Sequence, residues 1–201
     1  MLSKTDIANM AISHIGYGKE ISNLALENSE EASVCRRFYD ISRDSTLRDF
    51  PWPFAMVSAS LNLIEENPNS EWSYSYRYPS DCIYVRRIIS GDKRESRDDR
   101  VPYKIGKDGS GLLIYTDQSS AEIEYTQKID DPSFYTSEFS ASLSLRLASY
   151  ISTRLTKGDP FSLRKNIMSL YAEEIEKVKT NSLNEEQSVK EPESEFIRGR
   201  N

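Results

Sequence analysis

A helix cannot run through Phe50-Pro51-Trp52-Pro53-Phe54-Ala55. Each proline pushes the residue before it out of the α region, so a helix arriving through Arg48 must end here. Trp52 stands between two rigid residues, with Phe50 and Phe54 as aromatic neighbours, and its ring has little freedom to lose on packing. Phe50, Trp52 and Phe54 therefore read as a structural anchor where a helix gives way to a strand, with a ligand-stacking site as the alternative.

Two helices lead into this turn. Ser3-Lys4-Thr5-Asp6 has the form of a capping box, and the helix after it puts Ile7, Met10, Ala11 and His14 on one face. Gly16 and Gly18 stop it. His14, the only histidine, reads as a core or C-cap residue in the last turn. Ser29 opens a second helix to about Asp49, with Ala32, Val34, Cys35, Phe38, Tyr39 and Ile41 on one half of the wheel. Arg36, Asp40, Arg43, Asp44 and Arg48 fill the other half. Arg36/Asp40 and Asp44/Arg48 have the spacing of intrahelical ion pairs, so this face is either solvated or a subunit interface.

Beyond the turn the hydrophobic period becomes two. Ala55, Val57, Ala59, Leu61 and Leu63 alternate with polar residues or Met56, which predicts one half-buried strand. Trp72, Tyr74, Tyr76 and Tyr78 alternate in the same way and form an aromatic stripe suited to a core or an interface. Cys82 to Ile89 predicts a strand, residues 90–100 an exposed charged loop, and three short strands follow near 101–105, 111–116 and 121–127. The glycine-rich piece Gly106 to Gly111 reads as a hairpin turn, because it lacks a Walker lysine-serine pair and no helix follows it.

Thr136 or Ser137 caps a third helix with Phe139, Leu143, Leu147, Tyr150, Ile151 and Leu155 at helical spacing. Its many Ser and Ala residues allow another helix to approach closely. Gly158-Asp159-Pro160 ends it and starts a fourth helix, with Pro160 at the first position. From about Thr180 the chain becomes polar and acidic, a tail without a core of its own. The predicted fold is α+β, mainly α. Helices in 1–50 and 137–180 form a bundle core, an antiparallel β region at 54–128 is inserted between helices 2 and 3, and residues 181–201 form an extended C-terminal arm.

Composition narrows the chemistry. Only 37% of the residues are hydrophobic and 29% are charged, a balance that suits a subunit completed by its neighbours. The net charge of −6 argues against a dedicated nucleic-acid face, which needs clustered Lys and Arg. Cys35 and Cys82 lie in different predicted elements and read as small buried hydrophobes of a protein made in a reducing compartment. No signal peptide or long apolar run is present, so the expectation is a soluble chain without a membrane partner. No nucleophile elbow, HExxH, P-loop or CxxC occurs, and no catalytic, cofactor-binding or metal-binding residue is expected.

The order of these signals resembles the head-to-tail adaptor family of short-tailed bacteriophages, also called tail tubular protein A. The resemblance rests on Ala11-Ile12-Ser13-His14-Ile15-Gly16, on Cys35-Arg36-Arg37-Phe38-Tyr39 with Arg43-Asp44-Ser45-Thr46-Leu47-Arg48, on the Phe50–Ala55 turn, and on Tyr76-Arg77-Tyr78-Pro79-Ser80-Asp81-Cys82. The strongest match covers residues 5–90, and length and helix order fit to about 180. The resemblance implies a helical core carrying an antiparallel β region. It also implies a ring of twelve copies between the portal protein and the tail nozzle protein, made in the host cytoplasm and built into the virion neck. DNA passes through such a ring without sequence-specific binding, and no cofactor or enzymatic step is implied. Together with the tail composition it points to an arm that docks on the portal, with Phe196 and Ile197 as anchor and Arg198 and Arg200 as charge clamp. Two other readings stay open: another neck ring, such as a portal stopper or head completion protein, and a glycan hydrolase, which needs a pair of carboxylates in a cleft.

Overall fold

In a computed structural model, residues 2–91 and 100–185 are described. The first helix, α1, covers Lys4–His14 and begins with the expected capping box: Asp6 N–H donates to Ser3 Oγ at 3.1 Å and Ser3 N–H to the Asp6 carboxylate at 2.7 Å. α2 covers Glu30–Asp49 and is capped by Ser29, whose hydroxyl accepts from Ala32 N–H at 3.2 Å. It stops at Phe50, which is extended, and the proline-flanked tryptophan follows. α3 covers Ser137–Leu155, and Thr136 is its cap, accepting from Phe139 N–H at 3.3 Å.

α3 is the centre of the molecule. It packs against α1, α2 and a fourth helix, α4, which spans Leu163–Glu185. Ser140, Ser142, Ser144, Ser149 and Ser152 of α3 are all buried, so its small residues admit the neighbouring helices of the same chain. Several of these hydroxyls bond back to carbonyls of their own helix, such as Ser149 Oγ to Arg146 O at 2.7 Å.

Between α2 and α3 the chain forms seven strands in two antiparallel sheets: β1 (Met56–Ser60), β2 (Leu63–Glu66), β3 (Tyr74–Arg77), β4 (Cys82–Ile89), β5 (Tyr103–Asp108), β6 (Gly111–Thr116) and β7 (Glu122–Gln127). One sheet has the order β1-β7-β4 and the other β2-β3-β6-β5. The fold is therefore α+β, mainly α, with the β region between helices 2 and 3. β4 has the bounds that its sequence predicts.

Two hydrophobic cores result. The helical core is centred on Ile7, Ile12, Leu47, Trp52, Phe139, Leu143 and Ile151. The β core is built from Tyr76, Val85, Ile88, Ile114, Ile123 and Tyr125, with Tyr74 and Tyr78 packed against it. The aromatic stripe is thus mostly core, although Trp72 precedes β3.

Five expectations need correction. α4 begins at Leu163, after a separate 3-10 turn at Pro160–Ser162, and the hairpin turn read over Gly106–Gly111 is narrower, since β5 runs to Asp108 and β6 begins at Gly111. The single strand predicted over 55–63 is two strands: β1 pairs with β7, β2 pairs with β3, and the switch of sheets falls at Leu61-Asn62. Alternation records which residues share a face, not which partner supplies the hydrogen bonds. His14 is exposed at the end of α1 rather than buried in the core, with Nε2 3.0 Å from Ser144 Oγ. α4 continues to Glu185, five residues into the segment read as an arm, because neither Gly nor Pro interrupts the chain between Leu163 and Pro192. Residues 92–99 of the predicted charged loop lie outside the described residues.

Candidate functional site

The aromatic anchor forms as its sequence suggests. Trp52 is 1% exposed, and its indole N–H donates to the Thr46 carbonyl at 2.8 Å, which returns the turn onto the last residues of α2. Phe50 and Phe139 meet its ring edge-on at 5.1 and 5.0 Å. Phe54 and Tyr135 close the cluster over Phe139 at 5.1 and 4.7 Å. The ring has no face free for a ligand, so this site anchors the fold.

The polar half of α2 is shared among different tasks. The Arg36 guanidinium donates to the carbonyls of Leu24 and Glu27 at 2.6 and 2.7 Å, holding the loop between α1 and α2. Arg43 is 1% exposed and surrounded by carboxylates: Asp40 at 2.9 Å, Asp44 at 2.8 Å and Asp130 at 2.5 Å. Asp130 lies in the segment returning from β7 to α3, so Arg43 ties the exit of the β region to α2. Arg48 lies over the Tyr84 ring of β4 at 5.1 Å. The ion pairs expected between Arg36 and Asp40 and between Asp44 and Arg48 do not form, because Arg36 and Arg43 find partners outside the helical i,i+4 row. Of the five residues proposed for a subunit interface, Arg43 is thus internal, whereas Asp40 and Arg48 are exposed. Ile41, placed on the apolar half, is 52% exposed.

Arg86 is a structural residue that the pattern reading missed. From β4 it donates to the carbonyls of Leu47, Arg48 and Phe50 at 3.1, 3.0 and 2.9 Å, and to Thr126 Oγ1 at 2.8 Å. A cation at the carboxyl end of a helix satisfies orphan carbonyls and meets the negative end of the dipole. Its signal is only an arginine pair interrupting a hydrophobic strand. A second unforeseen cluster joins three helices: Asp49 accepts from Tyr171 Oη at 2.8 Å and pairs with Arg146, whose guanidinium lies 4.3 Å over the Tyr171 ring.

Two carboxylates of the β region, Asp81 and Asp108, are held by hydrogen-bond donors. Asp81, beside the cleft lined by Leu61, Asn62, Arg77 and Tyr78, accepts from Gln127 Nε2 at 2.6 Å and Tyr125 Oη at 3.3 Å. Asp108 is clamped by both terminal nitrogens of Arg77 at 3.0 and 2.8 Å. Among the described residues no group of three His, Cys, Asp or Glu side chains could hold a metal ion. Cys35 is fully buried, and burial pushes its thiol up to about 12, so it stays protonated. No described helix is long and apolar enough to cross a membrane. Phe196, Ile197, Arg198 and Arg200 lie outside the described residues.

Comparison with protein-family models finds no match, and comparison with curated proteins finds none either.

Proposed function

We propose that this chain is the subunit of a head-to-tail adaptor ring of a short-tailed phage, joining the portal protein to the tail nozzle protein around the DNA conduit. The observation that supports it best is the architecture: four helices around α3, with an antiparallel β region inserted between α2 and α3. That is the arrangement the sequence resemblance implies. The acidic balance of the chain agrees with a conduit, since a wall of net negative charge repels the duplex and lets it slide.

In this reading the chain beyond Glu185 is the portal-binding arm, with Phe196 and Ile197 entering a groove of the portal and Arg198 and Arg200 pairing with its acids. A ring of such arms binds through multivalency, each contact raising the effective concentration of the next. Native mass spectrometry of the protein alone and with portal tests the reading. A closed ring on the portal is expected, and a protein that remains monomeric beside portal overturns it. Deleting residues 186–201 is expected to keep the helical circular dichroism while removing portal binding. Unchanged binding overturns the role of the arm.

A further inference from the structure

Among the described residues the four-stranded sheet has two open edges, β2, exposed throughout, and β5, exposed at four of its six residues. We propose that this sheet continues from one copy of the chain into the next, β2 of one subunit pairing antiparallel with β5 of its neighbour. This deepens the ring reading above and rests on it for closure of the assembly.

The strand directions allow it. Each neighbouring pair in the order β2-β3-β6-β5 is antiparallel, so β2 and β5 run in opposite directions. A head-to-tail repeat of the sheet therefore keeps every junction antiparallel, the better hydrogen-bonded pairing.

The register of the sheet then decides which side chains meet. One row runs Leu63–Tyr76–Ile114–Ile105. Partners in a row share a face, and here the two inner residues are buried, at 1% and 0% exposed, while Leu63 and Ile105 at its ends are 48% and 47% exposed. The apolar row is interrupted at both edges. Repeating the sheet without stagger brings Ile105 of one copy against Leu63 of the next and extends the row. The adjacent row on the opposite face runs Glu65–Ser75–Tyr115–Lys104, so the same repeat sets Lys104 against Glu65. A bulge in β2 between Leu63 and Glu65 places these two residues in adjacent rows, so a junction that retains this bulge satisfies both rows.

The charges also select this pairing over its competitors. β2 carries Glu65 and Glu66, and β5 carries Lys104, 3.4 Å from Glu71 of its own chain, Lys107, and Asp108, whose charge Arg77 already pairs. Two β2 edges repel, as do two β5 edges, so two-fold pairings are disfavoured and unlike edges attract. A contact between unlike patches is the kind that builds rings where the rotation closes.

Sedimentation and native mass spectrometry of the full chain, alone and with portal, test the proposal with variants at exposed positions that circular dichroism should find folded. Lys104→Glu and Glu65→Lys are each expected to lower the assembled fraction, and the double swap to restore it. Ile105→Lys is expected to abolish assembly. Rings that form equally well in all these variants overturn the edge pairing and leave the adaptor reading standing. A monomer under every condition overturns both. Open filaments that respond to the variants support the edge pairing and overturn the ring.

Discussion

Arg86 donates to the carbonyl oxygen of Phe50 at 2.9 Å, although the two residues lie 36 positions apart and belong to different layers of the molecule. With the Leu47 and Arg48 carbonyls it makes one guanidinium the pin between the β region and the end of α2. Arg86→Met keeps the apolar stem and removes the donors, so urea unfolding should show a loss of about 2–3 kcal/mol. Arg86→Lys should recover only part, because one ammonium cannot serve three carbonyls in the geometry of the planar fork.

Trp52→Ala empties the centre of the aromatic cluster and should cost about 3–5 kcal/mol. Trp52→Phe keeps most of the volume but leaves the buried Thr46 carbonyl without its donor, so it should cost less, about 1–3 kcal/mol. Equal losses in thermal denaturation would show that the hydrogen bond, not the volume, dominates.

Asp108 should titrate abnormally. The Arg77 guanidinium beside it, followed by the Ser110 and Gly111 amides, holds its carboxyl well below the usual carboxylate range. A depressed folded pKa gives stability that is complete above the unfolded value of about 4 and is lost as pH falls through the folded value. Carboxyl carbon shifts in NMR should find Asp108 still ionised near pH ~3. Arg77→Gln should move its titration upward.

Gly106 lies within β5 because the Tyr115 ring of β6 covers it, and an added Cβ would overlap that ring. Gly106→Ala should destabilise by about 1–3 kcal/mol, where the same change in an open strand stabilises. The double variant Gly106→Ala/Tyr115→Ala removes the clash, and its free energy should be better than the sum of the single changes.

Phe161, in the short turn before α4, is 97% exposed and has a left-handed backbone at φ 53°. It gains nothing from burial and carries the strain of a Cβ in that region. Phe161→Asn, a residue that tolerates the conformation, should raise stability by about 1 kcal/mol in thermal melts.

The sequence by itself determined where the first three helices begin, where α2 ends, and the bounds of β4. Ser3, Ser29 and Thr136 cap helices, Pro51 and Pro53 end α2, and β4 runs from Cys82 to Ile89, because caps and proline sterics act between chain neighbours. Burial of Trp52 was legible for the same reason. Tertiary structure alone decided which sheet each strand joins, as the division of 55–63 at Leu61-Asn62 shows, since an alternating strand can pair with any edge of matching face. It also decided the fate of the charges on α2. A helical wheel displays Arg43 as a surface residue, and Asp130, delivered by the chain returning from β7, joins Asp40 and Asp44 around its buried guanidinium. Arg86 is the extreme case: its partners are backbone carbonyls, which every residue possesses, so no pattern of side chains could have announced them.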